Sequence, residues 1–270
     1  MSDIHGNVIG RFSYKKSPEL RKLDNTDVVV VCGDIGIMWP SYEKEAKYVL
    51  NWLTTKPFTV LFLRGNHDNE PWWESCPASN GNTSINLLDG DLRVAAIDGK
   101  TYDNVYLVTS SAILSICGKK CLCIGGAEST DAYNLFYPHE KEKIKIAKSQ
   151  GKWFRVIGKS WWPGEGINLT YLKALLRRSY FDDFCHKFDY VFSHQSPAGY
   201  CFSPYNYRKD RRVPNEEQKF LEDLRLRQSF SFKRWVHGHQ HQVITWTKED
   251  EAPVSCVYFD FIDIDNWKWL

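Results

Sequence analysis

The chain has 270 residues, 43% of them hydrophobic and 25% charged, enough to bury a sizeable core in one domain and ordinary for a globular protein. Its 35 basic and 33 acidic residues leave a net charge of +2, which gives no electrostatic case for nucleic acid or an anionic membrane as an obligatory partner. No apolar run approaches the ~20 residues that cross a bilayer, and no signal-peptide pattern opens the chain. The eight cysteines show no CxxC and no regular framework. Cys32, Cys121 and Cys123 fall inside apolar runs, where a thiol acts as a small hydrophobe, so a reducing cytoplasm is expected.

In chain order, Asp27–Cys32 is a β-branched run with the signature of a strand buried on both faces. Tyr42–Leu53 reads as a helix, with Ala46, Val49, Leu50 and Leu53 on one stripe, and Phe58–Leu63 as the next buried strand. This βαβ unit favours parallel pairing. From Leu92 to Ile124 short strands alternate with turns at Asp98-Gly99 and Gly118-Lys119, which predicts an antiparallel section. Residues 128–166 are the most charged and least strand-like, and are expected to form an insertion over the core. Leu169–Phe188 reads as a helix, Tyr190–Ser193 as a strand and Asn215–Arg227 as a helix capped by Asn215. The remaining strands are expected within Arg234–Val236, Val243–Trp246 and Val254–Ile264. The pattern predicts an α/β sandwich forming a single domain over residues 1–270.

The polar residues with chemical potential cluster just beyond these strands. Asp34 follows the first through Gly33, and Asn66 and His67 follow the second through Arg64-Gly65. His194 closes Tyr190–Ser193, and His239 and His241 follow Arg234–Val236 through His237-Gly238. In open α/β sheets that edge is the crevice where ligands bind. Carboxylate, imidazole and amide oxygen together suit Mn²⁺, Fe²⁺ or Zn²⁺ better than Ca²⁺. Asp34, with two oxygens, can bridge two ions spaced roughly 3.5–4 Å apart. Two divalent ions outweigh the carboxylates of Asp3 and Asp34, so such a site stays cationic and suits an anionic substrate. Taken singly, each piece has a plainer explanation: Asn-His-Asp after a strand is commonly a turn, and a lone His194 would be structural.

Together these residues resemble the calcineurin-like metallophosphoesterase superfamily over nearly the whole chain. The family pattern D-x-H, G-D, G-N-H-[DE], a lone H and G-H-x-H stands here, in order, as Asp3-Ile4-His5, Gly33-Asp34, Gly65-Asn66-His67-Asp68, His194 and Gly238-His239-Gln240-His241. The resemblance implies a four-layer α/β sandwich of two mixed sheets flanked by helices. It implies one divalent metal held by Asp3, His5 and His241 and a second by Asn66, His194 and His239, with Asp34 bridging. His67 would face the substrate, stabilising transition-state charge or protonating the leaving oxygen, with Asp68 orienting it. The implied reaction is phosphoester hydrolysis by a hydroxide bridging the two metals. The alternatives are a dinucleoside-polyphosphate or cyclic-nucleotide phosphodiesterase, a phosphoprotein phosphatase and a non-catalytic scaffold reusing the fold. An intact His67 argues against the scaffold.

Three departures qualify the resemblance. Ile37 stands where the family often has a second Asp, and the phosphate-binding Arg that protein phosphatases carry just after it has no match, which argues against a typical phosphoprotein phosphatase. Arg64 does resemble their L-R-G-N-H-E segment, supporting either the loop or a bound phosphate. Next, Gly125–Asp131 followed by Trp161–Glu165 is similar to a glycine–aspartate–tryptophan arrangement in poorly characterised bacterial and phage-type members. The insertion is therefore expected to roof the crevice and select substrate through Asp131 and Trp161, although Trp72-Trp73 and Trp161-Trp162 also read as packing. Last, Asp3 follows only Met1-Ser2, so the strand that should deliver Asp3 and His5 is absent. Weakened metal binding there and lowered stability are expected, reversed by roughly five apolar residues added upstream. His237 is read as structural, and His139 and His186 carry no assigned role.

Overall fold

A computed structural model describes residues 1–39, 41–130, 132, 134–183, 186–201, 213–266 and 268–269. A short helix, α1 (Val8–Arg11), precedes strand β1 (Val28–Val31). Helix α2 (Glu43–Leu53) carries the chain to β2 (Thr59–Leu63), which lies parallel to β1 with Val28 opposite Thr59. Then come α3 (Glu70–Ser75), β3 (Ile85–Gly90), β4 (Arg93–Ile97) and β5 (Lys100–Val108). β5 is parallel to β2 and antiparallel to β4, closing a mixed sheet in the order β1-β2-β5-β4.

After β6 (Ser111–Ile116) and β7 (Lys119–Ile124), the 128–166 segment holds β8 (Leu135–Phe136), α4 (Lys141–Ser149) and β9 (Arg155–Val156). β8 and β9 form a small parallel sheet of their own. The chain returns through α5 (Leu169–Asp183), β10 (His186–Ser193), α6 (Glu216–Leu226), β11 (Phe230–His237), β12 (Ile244–Trp246) and β13 (Val254–Cys256). The second sheet runs β12-β13-β11-β10-β7-β6-β3, parallel at its centre and antiparallel at both sides.

The layering follows from strand alternation. Val60 and Phe62 point outward to Leu50 and Leu53 of α2, while Leu61 and Leu63 point inward to the second sheet. There they meet Leu114, Phe192 and Val236, with Cys32, Cys121 and Cys123 filling small spaces between the sheets. On the far side Leu122, Val191 and Trp235 pack against Leu172 and Leu175 of α5 and Leu221 and Leu224 of α6. The result is the expected α/β arrangement of two mixed sheets flanked by helices. The seven described cysteines are free thiols. No described helix is long and apolar enough to cross a membrane.

Several boundaries differ from the sequence reading. β3 was not expected: Asn86, Asp89 and Gly90 hide its apolar Ile85 and Leu87, yet it pairs with β6 at the sheet edge through an irregular register between Leu87 and Asp89. α5 stops at Asp183 and β10 begins at His186, because pairing with β11 captures residues that read as helical by periodicity alone. The β4–β5 turn is Asp98-Gly99 as expected, both residues at positive φ. The β6–β7 turn lies one residue early, at Cys117-Gly118. Asn215 caps α6 as expected, in a full capping box with Gln218.

The start of the chain is better anchored than its sequence suggests. β1 is the edge strand of its sheet, but Met1–Asp3 run beside its end. Cys32 N donates to Met1 O (2.9 Å) and Asp3 N to Gly33 O (3.0 Å), while Ser2 N donates to Tyr258 O (2.8 Å). These few rungs deliver Asp3 to the crevice without a strand being assigned there.

Candidate metal centre

The C-terminal ends of β1 and β2 in one sheet and of β10 and β11 in the other converge on one crevice. Close approach of the loops dictates the glycines. A Cβ on Gly33 (φ +94°) would collide with His194 Nδ1, and one on Gly65 with Asp34 Oδ1. The residues delivered are themselves strained: Asp3, His5, Asp34, His239 and His241 all have positive φ, between 47° and 66°. Left-handed backbone costs a non-glycine residue about 1 kcal/mol or more, and such outliers concentrate at functional sites. Asp and His tolerate it better than β-branched residues.

Two groups of potential ligands result, and they share one residue. Ligand atoms of Asp3, His5, Asp34 and His241 lie within 4.8 Å of one another, as do those of Asp34, His194 and His239. Asn66 belongs with the second group, its Oδ1 3.0 Å from His194 Nε2. All seven residues expected as ligands are therefore brought together, with Asp34 common to both groups. The donor set fits divalent cations. His5 Nε2 stands 3.3 Å from His241 Nε2, which is 3.2 Å from Asp3 Oδ1, and that buried oxygen has no hydrogen-bond partner. Three lone-pair donors converging with so few protons to share are suited to a cation.

The surrounding contacts orient these groups. His194 Nδ1 faces Cys32 O at 2.7 Å, which turns Nε2 toward Asn66 and Asp34 Oδ1 (3.4 Å). Asn66 Nδ2 donates to Ser129 Oγ (3.0 Å), which donates to Glu165 Oε2 (2.8 Å), so the amide presents its oxygen to the crevice. Asp34 Oδ1 also accepts from His67 N (2.8 Å), and His239 N donates to Asp3 Oδ2 (3.0 Å).

Charge follows position. Burial alone would lift the Asp34 carboxyl, but His194, His67 and His5 hold it well below the usual range. Burial would depress His194, yet Asp34 and Asp3 carry it up to about 9. Half-buried His239 loses much of its hydration to the surrounding protein and lies beside His194, and is pushed down to about 3.

The remaining sequence-named residues fall in different places. His67 faces the crevice, its ring edge-on to His5 and its Nε2 3.9 Å from Asp34 Oδ2. Asp68 does not orient it, a correction to the sequence reading: Oδ1 accepts from Gly36 N (2.9 Å) and Oδ2 from Gly65 N (2.8 Å). Asp68 instead ties the Asp34 loop to the Asn66 loop, and burial with the nearby Asp34 charge pushes its carboxyl up to about 7. Arg64 takes the loop-supporting role of the two open to it, donating to the carbonyls of Thr109, Gly164 and Gly166 beside Glu70. Asp131 lies outside the described residues. Trp161 is half-buried, and Trp162, fully buried, packs edge-on against Trp39. Trp72 and Trp73 are core residues. His237 is buried against Trp246 with Nδ1 on Gly238 O, as a structural histidine would be.

Four residues were missed. Ser129 and Glu165 lie inside segments that the sequence singles out for Asp131 and Trp161. Trp39 donates its indole N–H to His67 O (2.9 Å). Arg155, only 4% exposed, sets its guanidinium against the His67 ring. A lone arginine in a charged stretch carries no periodic signal, although Trp153-Phe154 beside it hints at a packed segment.

The sequence model of the calcineurin-like phosphoesterase family matches residues 1–243. No curated protein matches the chain. Among solved structures, a phosphopantetheinyl hydrolase from Mycobacterium tuberculosis is similar at 17% identity and a TM-score of 0.45, over 96% of this chain and 88% of that one. With a family match spanning nearly the whole sequence, the chain belongs to the calcineurin-like phosphoesterases.

Proposed function

We propose that the chain is a phosphoester hydrolase working with two divalent metal ions, Mn²⁺, Fe²⁺ or Zn²⁺ being those its ligands suit. The observation that carries this reading is the pair of ligand groups sharing Asp34. Asp3, His5 and His241 would hold one ion, Asn66, His194 and His239 the other, with Asp34 common to both. Bound there, the two cations would acidify a water and offset the charge of the phosphoryl oxygens. The chain's own groups do the rest. Asp34 anchors the His67 backbone, His67 reaches the crevice beside it to donate a proton to the leaving oxygen, and Ser129 with Glu165 keeps Asn66 turned inward.

Hydrolysis of p-nitrophenyl phosphate and bis-p-nitrophenyl phosphate, with Mn²⁺ added and then chelated, tests this. Metal-dependent turnover of at least one ester is expected; its absence from both would favour a scaffold that reuses the fold. Asp34→Asn should remove both metal equivalents and the turnover. His67→Ala should retain metal while losing roughly 10²–10⁴-fold in kcat.

A further inference from the structure

We propose that the basic face of the 128–166 segment docks a single-stranded nucleic acid and feeds it to the crevice as a phosphodiester substrate; the inference rests on the two-metal reading above. The overall charge of +2 is the sum of two unlike parts. Residues 139–159 hold seven basic and two acidic residues, which leaves 28 basic and 31 acidic for the rest of the chain. The cations are thus concentrated in one short stretch of a protein that otherwise carries a small negative surplus.

Most of these cations have no carboxylate beside them. Lys143 is paired with Glu140 at 2.5 Å. Lys141, Lys145, Lys148, Lys152 and Lys159 are exposed, and none makes an ion pair among the described residues. Lys141, Lys145 and Lys148 stand at i, i+4 and i+7 of α4, which puts them on one stripe of the helix. Like charges at that spacing repel. A polyanion laid along the stripe would relieve the repulsion.

The basic stretch also reaches the metal centre. Lys152 stands three residues before Arg155, whose Nη1 lies 2.8 Å from His67 Nδ1. Lys159 directly precedes Ser160, whose carbonyl accepts from the same Nη1 at 3.0 Å. Three extended residues span at most about 11 Å, so the cations run outward from the crevice wall along α4.

Chemistry selects the polyanion. A nucleic acid repeats the group that the centre is read to cleave, whereas an acidic peptide matches the charge and brings no phosphoester. Just ahead of α4, Tyr137 is 54% exposed and stacks on the exposed His139 ring (5.5 Å between centroids, 18° apart). Unpaired bases stack on such rings, which favours a single strand. In the reaction water adds at phosphorus and the bond to one sugar oxygen breaks. That oxygen takes a proton, leaving a phosphomonoester on one fragment and a hydroxyl on the other.

The test begins with fluorescence anisotropy in chelator, using oligothymidylate and oligouridylate of about 20 nucleotides and polyglutamate of similar length. The proteins are the parent, the combined Lys145→Ala, Lys148→Ala, Lys152→Ala variant, Tyr137→Ala, and a control combining Lys15→Ala, Lys16→Ala and Lys44→Ala. With five lysines each neutralising a phosphate, parent affinity should fall about 100-fold between about 50 and 200 mM salt, and that of the first triple variant only about 10-fold. Tyr137→Ala should bind about 10-fold more weakly with the parent's salt dependence. With Mn²⁺, the lysine variant should lose turnover of the oligonucleotide yet keep that of a p-nitrophenyl ester. Tight binding of either oligonucleotide supports the surface, and the tighter one identifies the sugar. Equal binding of polyglutamate, a control as weak as the lysine variant, or an unaltered Tyr137→Ala would overturn it. Binding without metal-dependent cleavage would overturn the role as substrate. A parent that turns over no ester would overturn the phosphoesterase reading, whereas binding in chelator decides the surface by itself.

Discussion

The two ligand groups that share Asp34 are built differently. On one side His194 is fully buried, braced by Cys32 O, and Asn66 is braced through Ser129 by Glu165, so these two candidate ligand atoms are each aimed by a second contact. On the other, His5 is exposed and His241 is 41% exposed, their nitrogens face each other, and Asp3 arrives on a few rungs at a sheet edge. One half is preorganised by the core and the other is assembled from loops at the solvent boundary. Preorganisation costs stability when a ligand is removed, whereas an open half gives up a ligand cheaply.

The sharpest way to break this contrast is to remove one histidine from each half. His194→Ala leaves a cavity and strips Cys32 O and Asn66 Oδ1 of a partner, so with chelator present it should lose roughly 2–5 kcal/mol. His241→Ala should stay within about 0.5 kcal/mol, as surface substitutions usually do. Urea melts of both variants decide this, and equal destabilisation would erase the distinction.

Acid should separate the individual histidines rather than the halves, since His194 is raised as His241 is. Burial pushes His237, the last residue of β11, down to about 4 from an ordinary 6.5, and His239 to about 3, whereas Asp3 raises His241. A histidine depressed in the fold contributes stability that is present above about 6.5 and lost as pH falls toward its folded value. For His237 that amounts to roughly 3 kcal/mol between pH 6.5 and 4. The raised His241 works in the opposite sense, favouring the fold below its unfolded value and losing that benefit as pH rises. Melts in chelator across this window should therefore weaken on acidification, and His237→Gln should flatten the slope.

A gentler perturbation sharpens the comparison without touching a ligand. Glu165→Gln or Ser129→Ala should lower Mn²⁺ affinity about 10–100-fold at the Asn66–His194–His239 half alone, as loss of an outer contact to a ligand does. Calorimetric titration should show one step weakened and the other unmoved. Weakening of both steps would mean that the relay supports the whole crevice.

How much of this was legible in the chain depended on distance along it. Residues that end apolar strands, such as Asp34 after β1 and His194 after β10, were placed by the strands themselves, because a strand's direction fixes where its last residue goes. Arg64 carried a local motif but left two roles open, and only the carbonyls of Thr109 and Gly164, remote in sequence, chose between them. Asp68 misled for the same reason: adjacency to His67 suggested a partner, while its carboxylate turned back to the amides of Gly36 and Gly65. Arg155, Ser129 and Glu165 act across long sequence separations, with neither period nor motif to announce them. β3 was obscured because its polar residues suit an edge strand rather than a buried one.

The five left-handed residues of the candidate metal centre have a further consequence. At Asp3, His5, Asp34, His239 and His241 the backbone favours glycine or asparagine over what is there. A library of this chain screened for heat resistance alone would drift toward those residues at these five sites, and so toward a sturdier protein with no place for a metal. The positions that make the fold worse are the ones that give it a chemistry.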